Sequence, residues 1–205
     1  MLNNFELIKK KLIFEDFGDF YYLQIFQRKK DGNVVHSSSQ VRLIKSYYIR
    51  SIEDFINKQQ EIISLCEKFN ARAYIHYSKR SFRQVGRGML RDITDKLLSE
   101  NWQGMKSSFQ HCCGMCVSKK YKTYLVDIDY DSDEYRTHGD DLINLCKDYI
   151  NTECENFADM DKIIDMIPTN NGCHLICKPF NVSKFKDWAP SIEVKTNSPT
   201  LLYKA

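Results

Sequence analysis

No stretch of this chain is apolar for long enough to cross a bilayer, since none approaches the ~20 residues that a spanning helix needs. The N-terminus, "MLNNFELIKKKLIF", lacks the apolar core of a secretory signal. Net charge is slight as well. It is +3 from 30 basic and 27 acidic residues, so contact with nucleic acid has to come from local basic patches rather than overall basicity. Repeats and low-complexity tracts are missing, which excludes a repeat architecture. Eight cysteines in 205 residues suit a disulfide framework only in a small secreted domain. Nothing here marks secretion, so they read as reduced thiols in a cytoplasm, with no membrane as partner.

What is present is enough for a core: 42% hydrophobic residues, 13% of all residues aromatic. The length suits one large domain or two small lobes. "FYYLQIF" and "QVRLIKSYYI" read as strands joined through the turn signal "KKDGN", with a helix over "NFELIKKKL" before them. "SIEDFINKQQEIISLCEKFN" predicts a helix capped by Ser51, with Ile52, Phe55, Ile56, Ile62, Ile63, Cys66 and Phe69 on one stripe. "ARAYIHY" is a short strand. A second helix follows, capped by Ser81 and turning Phe82, Val85, Met89, Ile93 and Leu97 inward, although Gly86 and Gly88 weaken it. Residues 102–122 read as a loop between lobes.

The second half has clearer periodicity. A strand at 123–129, a helix over 140–157, strands at 162–168 and 173–180, a short helix at 182–188 and a strand at 191–195 give the order β-α-β-β-α-β, a ferredoxin-like unit. The fold expected is therefore α+β: an N-terminal α/β lobe over 1–110 and a ferredoxin-like, RRM-like lobe over 120–205. In this topology the unit's first strand lies between its third and fourth.

That neighbourhood concentrates the chemistry. Side chains alternate along a strand, so Asp127 and Asp129 share one face of "YLVDIDYDSDE" while Val126 and Ile128 face the core. The same alternation leaves His174, Ile176 and Lys178 opposite Cys173, Leu175 and Cys177, and Glu193 and Lys195 opposite Ile192 and Val194. Two carboxylates two residues apart, joined by a third from an adjacent strand, form the hard-oxygen set that Mg²⁺ or Mn²⁺ requires, and they suit a two-metal site. His174 and Lys178 add hydrogen-bonding and cationic groups where a triphosphate would lie. The turn "TNNG", with Thr169, Asn171 and Gly172, offers backbone N–H groups for a small anion nest.

These residues also carry a resemblance. The acidic-x-acidic strand (Asp127, Asp129), the turn "TNNGCH" ending in G-x-H (Gly172, His174) and the hydrophobic-acidic strand (Ile192, Glu193) resemble, in order, the three motifs of the archaeo-eukaryotic primase, or primase-polymerase, superfamily. The resemblance is firmest over 123–203. It implies an RRM-like catalytic lobe beside a second α/β lobe and template-dependent nucleotidyl transfer. Asp127, Asp129 and Glu193 would be the catalytic metal ligands, and His174 would lie on the phosphates of the incoming nucleotide. Its partners would be a nucleic-acid template and NTP or dNTP, with a helicase or other replication protein as a separate chain. "ARAYIHYSKRS" resembles nucleotide-contacting segments of some members, which nominates Arg80. A glutamate stands where aspartate is commoner, and no helicase is attached.

Plainer roles compete at each position. Asp131, Asp133 and Glu134 read as a solvated loop, and Asp127 and Asp129 would then be an exposed strand edge. His174 alone would be a structural histidine, Lys178 and Lys195 solvent-facing lysines, and Arg80 half of a structural salt bridge. His111, Cys112, Cys113 and Cys116 have zinc-ligand chemistry but no second ligand pair, so the balance favours small buried thiols over zinc. Two other functions compete with synthesis: an RRM-like module gripping single strands without chemistry, and a metal-dependent phosphodiesterase using the same acids.

Overall fold

The structure is a computed structural model, and it describes residues 1–33, 40–117, 119–152 and 161–205. It is an α+β protein built on two antiparallel sheets. In chain order come β1 (Leu2–Asn3), α1 (Phe5–Lys9), β2 (Asp19–Arg28), β3 (Val41–Ile49), α2 (Ile52–Phe69), β4 (Arg72–Ile75), β5 (Arg80–Ser81) and α3 (Phe82–Leu98). Then follow α4 (Trp102–Met105), α5 (Ser108–Met115), β6 (Tyr124–Asp129), α6 (Asp133–His138), α7 (Leu142–Thr152), β7 (Ile163–Pro168), β8 (Gly172–Cys177), α8 (Val182–Trp188), β9 (Glu193–Thr196) and β10 (Thr200–Lys204). Among the described residues no helix is long and apolar enough to cross a membrane.

The first sheet runs β1-β10-β4-β2-β3, with β5 paired to the end of β2. β2 is covered on both faces, which explains its nearly continuous apolar sequence. Tyr21, Leu23 and Ile25 pack with Phe5 of α1 and with Phe55, Ile62 and Cys66 of α2. Phe20 and Tyr22 pack on the other side with Val85 of α3 and Cys112 and Cys113 of α5. The Ser51 side chain accepts the Asp54 amide at 3.0 Å, capping α2 as expected. Two inward assignments differ: Ile56 is 47% exposed and Leu97 43% exposed. Ser81 precedes α3 without a side-chain capping bond, and Val85 is the buried residue of that helix.

The expected loop at 102–122 is instead largely helical, with α4 and α5 in it. Asn101 caps the first by accepting the Gly104 amide. In the second, Phe109, Cys112, Cys113 and Cys116 recur at helical spacing and pack toward α3. Gly88 of α3 packs closely there: a β-carbon on it would fall 2.5 Å from the Cys116 sulfur, so the thiol would have to move to admit one.

The second sheet runs β7-β8-β6-β9, so β6 lies between β8 and β9. Val126, Ile128, Cys173, Leu175 and Cys177 face a core closed by Leu142, Cys146 and Ile150 of α7 and Phe185 of α8. The end of the expected 140–157 helix, 153–157, lies outside the described residues. The opposite face is divided. Leu125 and Ile176 are buried in the same cluster as Ile75, Tyr77 and Leu202 of the first sheet region, forming an apolar seam between the sheets. Beyond that seam the face opens.

The chain's last strand differs from expectation. β10 pairs with β1 and β4 in the first sheet rather than extending the 120–205 unit. Leu201, Leu202 and Tyr203 are all buried, and Leu202 and Tyr203 find their apolar neighbours around α1 and α2. The turn from β9 into β10 passes through Asn197 at φ 58°, a conformation that asparagine tolerates better than most residues.

Candidate functional site

The antiparallel ladders place Asp127 of β6 opposite His174 of β8 and opposite Glu193 of β9. The histidine and two carboxylates thus form one row across three adjacent strands. Asp129 stands opposite Gly172, where β8 begins, and a β-carbon at Gly172 would fall 1.9 Å from the Ile128 carbonyl oxygen. Only glycine permits that approach. The hairpin before β8 is closed by the Thr169 amide donating to the Gly172 carbonyl at 2.9 Å, so that amide is committed to the turn and not to an anion nest.

His174 is held at both nitrogens. Nε2 lies 3.2 Å from Asp127 Oδ1 and Nδ1 lies 2.8 Å from the hydroxyl of Thr200, which is fully buried on β10. Asp127 can only accept when ionised, so Nε2 carries a proton; in the neutral ring Nδ1 then accepts from Thr200. Lys195 spans two carboxylates, 2.6 Å from Asp127 Oδ2 and 2.9 Å from Glu193 Oε2.

These contacts separate the two aspartates. Burial raises the Asp127 pKa, but hydrogen bonds from His174 and Lys195 outweigh it and hold the value at about 2. Asp129 is pushed above the ordinary carboxylate range by burial and by the charges of Asp127 and Asp131. Asp133 and Glu134 occupy the first turn of α6, where carboxylates favour the helix dipole.

The row lies along a cleft of about 560 Å³. Its near wall carries Asp127, Asp129, His174, Glu193 and Lys195, and Thr169, Asn170 and Asn171 of the hairpin also line it. The far wall comes from the first sheet and is basic: Arg28, Lys30, Arg72 and Lys204, with Asp31 and Tyr74 among them. Arg72 forks onto Asp31 through Nε and Nη2, and Arg28 donates to the Tyr74 hydroxyl at 2.8 Å. Lys30 has its pKa lowered by burial and by Arg28 and Arg72, as expected where cations crowd. The basic wall escaped the sequence reading because Arg28, Lys30 and Arg72 sit in unremarkable turn and strand positions. Thr200 escaped because β10 folds back into the other sheet.

Two nominated residues lie elsewhere. Lys178 follows the end of β8, four residues and about 13 Å of strand beyond His174, and lines a different cleft. Arg80 is wholly buried. It donates to the carbonyls of Cys113 and Ser78, to Asn197 Oδ1 at 2.8 Å and to His76 Nδ1 at 2.9 Å. It is thus a clamp between β5, α5 and the β9–β10 turn, not a nucleotide contact, and no carboxylate pairs with it among the described residues.

Asp127, Asp129 and Glu193 are hard-oxygen donors of the kind a divalent cation takes, and the Lys195 ammonium lies between two of them. As they stand, among the described residues no three His, Cys, Asp or Glu side chains are grouped closely enough to hold a metal. Around the thiols, Cys112 and Cys113 are buried in α5 while the His111 side chain is 57% exposed, its Nε2 4.0 Å from Asp92. The chain matches no protein-family model, no curated protein and no solved structure.

Proposed function

We propose that this chain is a nucleotidyltransferase of the primase-polymerase type, using a C-terminal RRM-like lobe for chemistry and an N-terminal α/β lobe to close the site. The observation that carries the reading is the row His174–Asp127–Glu193 across adjacent strands, facing the basic wall of the same cleft. The 4-1-3-2 order of the second sheet is that of a ferredoxin-like unit. Acids on one wall and cations on the other suit a nucleoside triphosphate, which needs both a metal and direct charge neutralisation.

Asp127, Asp129 and Glu193 would hold Mg²⁺ or Mn²⁺. Such ions lower the pKa of the attacking 3′-hydroxyl and neutralise the leaving pyrophosphate. The remaining work falls to the chain's own side chains. His174, fixed by Thr200, would present its Nε2 proton to a phosphate oxygen once its present contact with Asp127 is given up. Lys195, displaced from the carboxylates, supplies a charge to the triphosphate. Arg28 keeps guanidinium donors beyond the one given to Tyr74 and would orient the nucleotide from the opposite wall, where the fork of Arg72 is taken by Asp31. Thr169 and Asn171 border the entrance.

The test is a primer-extension and de novo synthesis assay with Mg²⁺ or Mn²⁺ and all eight nucleotides, run beside an Asp127→Ala/Asp129→Ala variant. Synthesis by the wild type and none by the folded variant is expected. No synthesis under any condition would overturn the proposal, and shortening of the labelled strand would replace it with hydrolysis.

A further inference from the structure

The inner side of α3 is settled: Val85 is buried, and Phe82 and Met89 pack beside it in the cluster formed with Phe20, Tyr22 and the cysteines of α5. The outer side is bare. Arg83, Arg87, Leu90, Thr94 and Leu97 recur there at alternating four- and three-residue spacing, the pattern of a helix that meets another helix. Arg91 and Leu98 flank that strip, and every one of these residues is exposed. Leu90 is 70% exposed and Leu98 82%. Exposed leucines are ordinary when scattered singly, whereas Leu90, Leu97 and Leu98 fall on one face of one helix.

The arginines have no partners within the chain. Among the described residues Arg83, Arg87 and Arg91 make neither ion pairs nor side-chain hydrogen bonds. Of the acids on the same helix, Asp92 is held by Lys96 at 2.6 Å and approached by His111 at 4.0 Å. Asp95, one turn beyond Arg91, forms no ion pair with it. Arg83 with Arg87 and Arg87 with Arg91 are like charges four residues apart, an arrangement that destabilises a helix. Arg83 also stands in a first turn without acids, where the helix dipole disfavours a cation. These charges give α3 nothing by themselves, and an anion laid along them relieves each repulsion.

Beside the arginines runs a groove of about 290 Å³. Gln84, Arg87, Gly88 and Arg91 form one side, and Cys116 and Val117, where the chain leaves α5, form the other. Small and apolar groups with two guanidinium groups at the edge suit an apolar side chain that has a carboxylate next to it.

The two ends of the face ask for different chemistry. The first turns are cationic, and the last are apolar. The Thr94 hydroxyl donates to the Leu90 carbonyl at 2.8 Å, so it needs no outside partner. A nucleic-acid backbone would meet the arginines and leave the leucines in water. An antiparallel second copy of α3 would set Arg83 against leucines and bring only Asp95 as a counter-ion. A helix with acids toward one end and apolar side chains toward the other satisfies both halves.

We infer that the outer face of α3 docks an acidic amphipathic helix of another protein, its carboxylates on Arg83, Arg87 and Arg91 and an apolar side chain in the groove at Cys116 and Val117. The inference takes nothing from the proposed function, since α3 contributes no residue to the carboxylate cleft.

The strip from Arg83 to Leu98 is about 22 Å long at 1.5 Å per residue. The probe is therefore a fluorescein-labelled synthetic helix of about 15 residues, with leucines at heptad spacing and glutamates concentrated in one half. The same peptide with lysine for glutamate and a labelled oligothymidylate are the controls. Fluorescence anisotropy is read with the wild type, Arg87→Glu, Leu90→Gln/Leu98→Gln and Asp127→Ala. Saturable binding of the acidic peptide is expected, at least tenfold weaker in the first two variants, unchanged in Asp127→Ala and absent for the lysine peptide. Arg87→Glu turns two repulsive pairs into attractive ones, so its urea midpoint should equal or exceed that of the wild type while its binding falls. A merely structural arginine would move the two together. No saturable binding of the acidic peptide, or binding that either face variant leaves intact, overturns the inference. So does oligothymidylate binding that needs Arg87 and ignores the leucines, which gives the face to nucleic acid. A dimer of the chain alone that the leucine variant dissolves gives it to a second copy and likewise overturns the inference.

Discussion

Gly172 and Asp129 face each other across the β6–β8 ladder, in a spot so tight that residue 172 has no room for a β-carbon beside the Ile128 carbonyl. The glycine therefore fixes how closely the hairpin carrying Thr169 and Asn171 approaches the carboxylate end of β6. Gly172→Ala forces the strands apart. Overpacking of this kind costs about 1–3 kcal/mol, and for a chain of this size each kcal/mol lowers the melting temperature by roughly 2–4 °C. Calorimetry should find a drop of about 2–12 °C; an unchanged melting temperature would show that the ladder tolerates the methyl group.

The pairing of Asp127 with His174 and Lys195 makes stability depend on acid. Its folded pKa, about 2, lies below that of an unfolded aspartate, near 3.9. The resulting stabilisation is therefore fully present above about pH 4 and is lost as pH falls through about 2. The shift corresponds to roughly 2.5 kcal/mol at one pKa unit per 1.36 kcal/mol. Urea midpoints should fall between pH 5 and pH 2.5 in the wild type, and the fall should be smaller in Asp127→Asn, which has no carboxylate to protonate. Parallel declines in the two proteins would remove Asp127 as a source of the acid sensitivity.

The row of β6, β8 and β9 was legible because it depends on local rules. Alternation put Asp127 and Asp129 on one face, and the β-α-β-β-α-β order put β6 between its two partners. The far wall was not legible. It exists because β10 leaves the second half of the chain and inserts between β1 and β4, bringing Thr200 onto His174 and Lys204 opposite the carboxylates. "TLLYK" carries no mark of which sheet it will join. Lys178 was misplaced for a related reason. Alternation gave the correct face but not the position along it, and that face changes from open cleft to buried seam at Leu125 and Ile176. Arg80 misled because a strand-end arginine has the same local sequence whether it reaches a ligand or folds inward onto carbonyl groups. The helices at 102–122 were hidden by polar residues flanking a short apolar stripe.

Arg80 should behave as a clamp. Arg80→Met removes a buried guanidinium and leaves the Cys113 carbonyl and Asn197 Oδ1 without their donor, at about 1–3 kcal/mol for each unsatisfied group. Relief of the buried charge offsets part of this, so a net loss of about 3 kcal/mol is expected in chemical denaturation. Nucleotide affinity, measured well below the melting temperature, should stay within about twofold of wild type. A variant of wild-type stability with weakened nucleotide binding would return Arg80 to the ligand.

Lys195 is the residue whose removal best separates a cation site from an ordinary ion-pair network. Its ammonium is the positive charge now shared by Asp127 and Glu193, and those two carboxylates hold its pKa above the usual lysine value against the opposing effect of burial. A divalent ion at the same carboxylates has to displace it, so the lysine is a built-in competitor. Each charged hydrogen bond it makes is worth on the order of 1.5–3 kcal/mol, so Lys195→Ala should bind Mn²⁺ at least about tenfold more tightly in a calorimetric titration without nucleotide. The same variant should bind triphosphate less tightly once Mn²⁺ is saturating, because the displaced ammonium is then missing from the phosphates. If the carboxylates are merely partners of the lysine, its removal leaves them to solvent and Mn²⁺ affinity does not rise. Asp129 gives the internal control. It makes no ion pair with Lys195 among the described residues, yet a cation shared with Asp127 would draw its raised pKa down, so Asp129→Asn added to Lys195→Ala should abolish the gain in Mn²⁺ affinity.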